Sequence, residues 1–184
     1  MANLCDFDMR IQGKKGNIRK FCDALQQNGN TWIGRGSEGV ISYDDGSAKD
    51  DEIVGATFNG WCKWSVQSAL IGCALQMRNN PEKWNFTEEE RATLHIMTLL
   101  EASKQYSLDI EVFSREPGCS FSEHMLIRQG EIEIDEVTEY YEYFLDEYET
   151  KEQAEEEYGI SITDEEWRMQ DCISRGGFDE DFSV

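Results

Sequence analysis

The N-terminal segment restricts the fold most, because its hydrophobic period changes from two residues to about four. Between Leu4 and Gln12, three apolar side chains alternate with charged ones, which predicts a strand with one buried face: Phe7, Met9 and Ile11. The segment from Gly13 to Gly16 is expected to end this strand. Four apolar residues then share one helical face, which predicts a helix ending near Asn28: Ile18, Phe21, Cys22 and Leu25. A half-buried strand followed by an amphipathic helix favours a sheet covered by helices.

The remaining periodic segments extend this order. Short strands are predicted at Trp32-Ile33 and Val40–Tyr43 around a glycine-rich turn, and at Glu52–Phe58. One helix is predicted over Trp61–Met77, and another from Thr87, whose capping box is completed by Glu90 and whose apolar face continues through Leu100. A strand at Leu108–Val112 precedes a hairpin, Ser120–Arg128 and Glu131–Val137, around Gln129-Gly130.

This order predicts the fold class and the domains. Strand–helix–strand–strand–helix–strand is the split βαβ arrangement of ferredoxin-like domains. We therefore expect an α+β fold, with a ferredoxin-like split βαβ core, an added β-hairpin and an acidic helical C-terminal extension. The composition becomes acidic near residue 138, so the predicted domains are residues 1–138 and residues 139–184, the latter an acidic extension and tail.

Charge is the strongest functional signal in the chain. Of the net charge of −21, residues 131–184 carry −17, from 20 acidic and 3 basic side chains. Such a segment repels nucleic acids and anionic lipid and attracts a basic partner. Many of its carboxylates recur every three or four residues beside Tyr141, Phe144 and Tyr148, which predicts a helix from Glu139 onward with an apolar face and a carboxylate ridge. Like charges at this spacing destabilise a helix, so either solubility or a basic partner explains them.

The candidate partner-binding residues are the acidic side chains of this segment. They are Glu139, Glu142, Asp146, Glu147, Glu149, Glu152, Glu155, Glu156, Glu157, Asp164, Glu165 and Glu166.

Other motifs are better explained by structure than by chemistry. Gly34–Gly39 matches G-x-G-x-x-G, but a strand rather than a helix is predicted after it, so a hairpin turn is favoured over a dinucleotide loop. Cys119 is expected in a turn and His124 in a strand, on opposite faces, rather than as a nucleophile and its base. His95 is expected within the helix that begins at Thr87. No acidic group has EF-hand spacing, so we expect no metal, no cofactor and no catalytic residue.

Cysteine usage and hydropathy predict the compartment. None of the six cysteines forms a C-x-x-C pair, which favours reduced structural thiols, and Cys22 and Cys73 lie on apolar helix faces. The residues Met1–Asp6 lack the features of a signal peptide, and no apolar run is long enough to cross a bilayer. A cytoplasmic location without a membrane partner is expected.

Three stretches resemble a family of small proteins encoded by phages, plasmids and integrated elements, chiefly of gut Firmicutes. They are Gly60–Val66 (GWCKWSV), Ser107–Gly118 (SLDIEVFSREPG) and Phe121–His124 (FSEH), and the opening Asp6–Ile18 is also similar. The resemblance covers about residues 1–145, and it implies a ferredoxin-like domain and a mobile-element origin. No catalytic residue set carries over, and the acidic end beyond about Glu149 lies outside it.

A mobile-element origin leads to the functional hypothesis. Acidic phage proteins of this size include anti-CRISPR inhibitors that imitate the nucleic-acid backbone, and an RNA-guided nuclease holds its duplex in a positively charged channel. We expect a non-enzymatic inhibitor of a basic, nucleic-acid-binding defence enzyme of the bacterial host, with an RNA-guided CRISPR nuclease as the favoured target. Two alternatives are a protein-interaction module of the mobile element without a nuclease target, and a metal-dependent enzyme using surface carboxylates.

Overall fold

Fifteen segments of regular structure follow the chain in the computed structural model, which describes residues 4–26, 31–33, 38–43, 46, 48–84, 86–93, 95–116, 118–139, 148–164 and 167. The strands are β1 (Leu4–Lys14), β2 (Thr31–Ile33), β3 (Glu38–Tyr43), β4 (Ile53–Lys63), β5 (His95–Met97), β6 (Asp109–Glu116), β7 (Phe121–Arg128) and β8 (Glu131–Glu139). The α-helices are α1 (Lys15–Gln26), α2 (Ala74–Asn79), α3 (Glu88–Thr93), α4 (Leu99–Tyr106) and α5 (Lys151–Tyr158). A π-helical segment, Gln67–Cys73, leads into α2, and a 3₁₀ turn, Pro81–Lys83, follows it.

The architecture is α+β, as the sequence predicts. Six strands form a sheet in the order β3-β4-β1-β6-β7-β8, in which every neighbouring pair is antiparallel. The central strand β1 pairs with β4 along its whole length, from Leu4 opposite Lys63 to Lys14 opposite Ile53. Because β4 continues through Trp61 and Lys63, the predicted helix start at Trp61 is wrong, and the helical segment begins only after Ser65.

One face of this sheet carries the main core. The alternation of β1 is confirmed, since Phe7, Met9 and Ile11 are buried on this face. They pack in one cluster with apolar side chains of α1, the helical segment before α2, α4, β6 and β7. In the part of the chain described, no helix is long and apolar enough to cross a membrane.

Gly13 is part of β1 rather than its end. A Cβ atom at this position would lie 2.7 Å from Leu108 Cδ2 and 3.2 Å from the Ser107 carbonyl oxygen, so any other residue would require Leu108 and its loop to shift. The strand ends at Lys14, within the segment Gly13–Gly16 as predicted, and α1 begins directly after it.

We expect Gly13→Ala to lower the free energy of unfolding by about 1–3 kcal/mol, because the added methyl group overpacks the Leu108 contact. Urea denaturation would measure the change. Gly55→Ala on β4 is the matched control, since a Cβ there would meet nothing within 4 Å. Equal effects of the two substitutions would contradict a steric role for Gly13.

The hairpin predicted around Gln129-Gly130 is confirmed. Gln129 and Gly130 have φ values of 52° and 84°, as a tight turn between antiparallel strands requires. The turn also contacts α4, because the Gly130 N–H donates to Ser103 Oγ at 3.2 Å. The hairpin adds β7 and β8 to the sheet beside β6.

The helix predicted from Thr87 through Leu100 is wrong after its first two turns. α3 ends at Thr93, and residues 95–97 form β5, so His95 lies in a strand and not in a helix. β5 pairs in parallel with β2, residue for residue from Thr31 opposite His95. The hairpin predicted for β2 and β3 around Gly34–Gly39 is therefore also wrong, because these strands belong to different sheets.

A capping box that the sequence analysis did not predict starts α4. Thr98 Oγ1 accepts a hydrogen bond from the Glu101 N–H at 3.0 Å, and Glu101 Oε2 accepts one from the Thr98 N–H at 2.9 Å. We expect Thr98→Ala to destabilise the protein by about 1 kcal/mol, since the Glu101 N–H loses the side-chain oxygen that accepts its hydrogen bond. Chemical denaturation would test this against Gln105→Ala, an exposed position of the same helix that we expect to change little.

The Glu101 carboxylate makes this cap dependent on pH. Burial alone would raise the pKa of Glu101, but the Thr98 hydrogen bonds and the Arg78 guanidinium together lower it below its usual value of 4.5. A lowered pKa means that the stabilisation is complete above about pH 4.5 and is lost as the pH falls through the pKa of the folded state. The stability difference between wild type and Glu101→Gln should therefore be constant near neutrality and shrink in acid. A difference that grew on acidification would contradict this assignment.

Candidate functional site

The structure describes part of the predicted acidic site, residues 148–164, which we call the C-terminal unit. Its helix α5 is capped by Thr150, whose side chain accepts from the Gln153 N–H at 3.4 Å, and it ends at Gly159 with φ 65°. Ala154 and Ile162 are buried in a small apolar cluster that is separate from the main core. Four half-buried side chains pack against them: Tyr148, Tyr158, Ile160 and Trp167. The rings of Tyr148 and Tyr158 meet edge to face, 5.7 Å apart.

This geometry corrects the predicted carboxylate ridge. β8 includes Glu139, and Thr150 has extended backbone, so no single helix runs from Glu139 to Glu156. The predicted ridge consists of Glu142, Asp146, Glu149, Glu152 and Glu156. Of these, Glu152 and Glu156 share one face of α5, whereas Glu149 precedes the helix. The break follows from Thr150, because its capping hydrogen bond requires non-helical backbone at that residue.

Two carboxylates of the unit are used by the fold itself. Glu155 Oε1 accepts a hydrogen bond from the Ile162 N–H at 2.7 Å, which holds the segment after the helix against α5. Asp164 pairs with Lys151, lowering the pKa of Asp164 and raising that of Lys151 chiefly through their hydrogen bond. Both side chains are at the surface, so this pair contributes little to stability.

Four other carboxylates point into solvent: Glu149, Glu152, Glu156 and Glu157. Glu152 lies in the first turn, where the helix dipole favours a negative charge, but Glu156 and Glu157 lie in the last turn, where it opposes one. The last turn has no basic side chain, and Glu152 and Glu156 repel each other at a spacing of four residues. Stability of the helix therefore does not account for Glu156 and Glu157.

The structure thus brings only part of the predicted set together. Glu149, Glu152, Glu155, Glu156, Glu157 and Asp164 lie in the C-terminal unit. Glu139 ends β8, opposite Phe121. Glu142, Asp146, Glu147, Glu165 and Glu166 lie outside the described residues.

A second acidic row, which the sequence prediction did not include, lies on β8. Glu131, Glu133 and Asp135 are exposed along this strand, at the border of the sheet. Glu133 receives a hydrogen bond from Arg128 at 2.9 Å, and Asp135 one from Gln67 at 3.1 Å. These two carboxylates are thereby tied to neighbouring side chains of the fold.

The face of the sheet opposite the main core contains a buried charge cluster, Glu111, His124 and Glu136, which sequence reasoning missed. His124 Nε2 lies 2.9 Å from Glu111 Oε1, and its Nδ1 lies 3.2 Å from Glu136 Oε2. The imidazole stacks on Phe113 with ring centroids 4.4 Å apart. His124 is fully buried and Glu111 is 2% exposed, while the side chain of Glu136 is 38% exposed.

The two contacts fix the orientation of the imidazole, because each of its ring nitrogens faces a carboxylate oxygen. Glu111 Oε2 and Ser122 Oγ, on the same face, are buried without a hydrogen-bond partner among the described residues. Because the imidazole is fully buried, a substrate has no path to it in this conformation, which favours a structural role.

Register explains both the cluster and the failure to predict it. In β6 and β7, His124 lies opposite Phe113, and in β7 and β8 it lies opposite Glu136. His124 lies in a strand, as expected, but its contacts with two carboxylates were not predicted. The only signal in the sequence was a charged residue, Glu111, between the apolar Ile110 and Val112 of a predicted strand. Cys119 is exposed in the turn before β7, as predicted.

Other candidate sites are modest. A groove of about 270 Å³ lies between α2, β5 and α4, with Arg78, His95 and Lys104 among its lining residues. Glu101 already pairs with Arg78 there at 2.6 Å. In the described ranges, no three His, Cys, Asp or Glu side chains are arranged to hold a metal ion.

The described cysteines are all free thiols, and their environments differ. Cys22 is buried on α1, as predicted, and burial with the nearby Asp23 raises its pKa to about 11. Cys73, predicted on a buried face, is only half-buried.

Comparison with known proteins identifies no relative. No family model matches this chain, and no curated protein or solved structure matches it.

Proposed function

We propose that this chain is a non-enzymatic protein of a mobile genetic element that binds and inhibits a basic, nucleic-acid-binding defence enzyme. The favoured target is an RNA-guided CRISPR nuclease in the bacterial cytoplasm. The observation that carries the proposal is the set of four exposed carboxylates on and beside one short helix: Glu149, Glu152, Glu156 and Glu157. They lie on a small capped unit with an apolar cluster of its own, which presents them at high density.

The physical basis is competition for basic side chains. A nuclease channel lined by Lys and Arg gains most of its affinity for duplex from phosphate contacts, and binding releases condensed counterions. A folded carboxylate surface offers the same charge without a cleavable backbone. Residues 131–184, with their net charge of −17, would be drawn to such a channel over a distance set by the ionic strength.

We also propose that the core has the ferredoxin-like fold. Support comes from the order β3-β4-β1-β6, in which β4 lies between β1 and β3 and β6 lies on the other side of β1. This is the strand order that a split βαβ unit produces when its second crossover returns to the opposite edge. The hairpin β7-β8 then extends the β6 edge, and the acidic unit follows it in the chain.

DNA cleavage by a panel of purified guided nucleases, with and without this protein, tests the function. We expect at least one nuclease to be inhibited at a stoichiometric amount of protein, with inhibition weakening as salt increases. Pre-loading the nuclease with target duplex separates occupancy of the channel from binding elsewhere, since a channel competitor should then act poorly. Full cleavage by every nuclease of the panel would overturn the proposal and leave an interaction module with another partner.

A further inference from the structure

Two cysteine thiols meet in the core between the two longest strands. In the register of β1 and β4, Cys5 lies directly opposite Cys62, so both side chains project from the same face of the sheet. Both residues are fully buried in the main core cluster, and their thiols are close enough to perturb each other's pKa. No other pair of described cysteines has this cross-strand relation.

The surroundings of this pair are unusually polar for a core. Glu123 is 4% exposed, and its Oε2 accepts hydrogen bonds from the Val66 N–H at 2.8 Å and from Ser114 Oγ at 2.6 Å. Ser114 also lies close enough to Cys5 to lower the pKa of its thiol. Glu123 therefore links β6, beside the thiols, to the first turn of the helical segment before α2.

The two thiols are not equivalent. The hydrogen bond from Cys62 lowers the pKa of Cys5 more than burial raises it, and Ser114 adds to the lowering. The same contact, together with burial, raises the pKa of Cys62. The lowered pKa favours Cys5 over Cys62 as the thiol that reacts first, although the carboxylates of Glu123 and Asp6 oppose the lowering.

We propose that Cys5 and Cys62 form a reversible cross-strand disulfide when the protein meets a hydroperoxide. Residues directly opposite each other in an antiparallel pair have Cβ atoms about 4.5–5.5 Å apart, and a disulfide needs about 3.5–4.5 Å, so a small local movement is sufficient. The pair lies one residue from the end of both strands, next to Leu4 opposite Lys63, and Leu4 is 51% exposed. Opening of that terminal pair admits a molecule as small as hydrogen peroxide.

The reaction balances with hydrogen peroxide as the only oxidant. The Cys5 thiolate attacks one peroxide oxygen, the O–O bond breaks, and the departing hydroxide takes up the proton that Cys5 had released, giving water and a sulfenic acid. The Cys62 sulfur then attacks the Cys5 sulfur, and the S–O bond breaks. The hydroxide that leaves takes the Cys62 proton, so two thiols and one peroxide give one disulfide and two waters.

The bond would fix β1 to β4 at one end of the sheet. It would close a loop of more than fifty residues, which restricts the unfolded chain and should raise Tm by roughly 5–10 °C. In the reducing cytoplasm the bond would be removed again by cellular thiols.

Peptide mapping of the full-length protein after hydrogen peroxide treatment and alkylation tests the proposal. The expected result is a cross-linked peptide pair containing Cys5 and Cys62, lost on treatment with dithiothreitol, with Cys22 recovered alkylated after denaturation. Recovery of Cys5 and Cys62 as separate alkylated or over-oxidised residues would overturn it. This readout needs no variant and so does not depend on a substituted core.

Melting curves give a second readout. Oxidation should raise Tm in wild type and in Cys119→Ser, but not in Cys62→Ala. For each protein, the Tm after oxidation is compared with the Tm of the same protein before oxidation. An equal rise in Cys62→Ala would show that the stabilisation arises elsewhere and would overturn the proposal.

Discussion

Replacing His124 with alanine is expected to lower the free energy of unfolding by about 3–5 kcal/mol, the largest effect of any single substitution considered for this protein. The substitution removes the partner 2.9 Å from Glu111 Oε1, while Glu111 remains 2% exposed and its Oε2 already lacks a partner among the described residues. It also removes the ring that stacks on Phe113 and leaves a cavity in its place. Urea denaturation at neutral pH would measure the loss, from the midpoint of the transition and the dependence of the unfolding free energy on urea concentration.

His95→Ala is the matched control for this prediction. It removes the same side chain from an exposed position of β5, and we expect a change within about 0.5 kcal/mol. A double replacement, Glu111→Leu with His124→Leu, should recover much of the stability, because it removes the uncompensated charge together with its partner. If His124→Ala were no more harmful than His95→Ala, the cluster would not stabilise the fold.

Neutralising the exposed carboxylates of the C-terminal unit is expected to weaken inhibition by about tenfold or more. The variant is Glu149→Gln, Glu152→Gln, Glu156→Gln and Glu157→Gln, which removes four charges at nearly constant volume. Surface charge pairs contribute about 0.2–1 kcal/mol each, so losing four costs about 0.8–4 kcal/mol, and most of this range lies above the ~1.4 kcal/mol of a tenfold change. The measurement is the concentration giving half-inhibition of the nuclease, repeated over a range of salt, where the variant should show the shallower dependence.

A control with the same change in charge separates a local surface from general acidity. Asp51→Asn, Glu52→Gln, Glu82→Gln and Glu88→Gln are four exposed positions outside the unit, and this set should retain most of the inhibition. The first variant should be no less stable than wild type, since Glu156 and Glu157 oppose the helix dipole. Equal loss of inhibition in both variants would mean that overall charge, rather than the C-terminal unit, attracts the partner.

Local patterns predicted the elements whose formation depends on neighbours in the chain. β1 follows from the alternation of Phe7, Met9 and Ile11, and the β7-β8 hairpin follows from Gln129-Gly130. Prediction failed where distant segments compete for the same residues. Ile96 and Met97 fit a helical face as well as a strand, and pairing of β5 with β2, together with the Thr98 capping box, decided in favour of the strand.

By itself, the sequence determined an α+β chain, a hairpin turn and a concentration of negative charge in residues 131–184. Each of these depends on residue type and on spacing of a few positions. Only the tertiary structure decided which carboxylates the fold uses, that His124 lies between Glu111 and Glu136, and that Cys5 meets Cys62. The physical reason is register, because a shift of one residue between two strands turns every side chain to the other face. Local periodicity fixes the faces of each strand, but it does not fix which residues of another strand lie opposite.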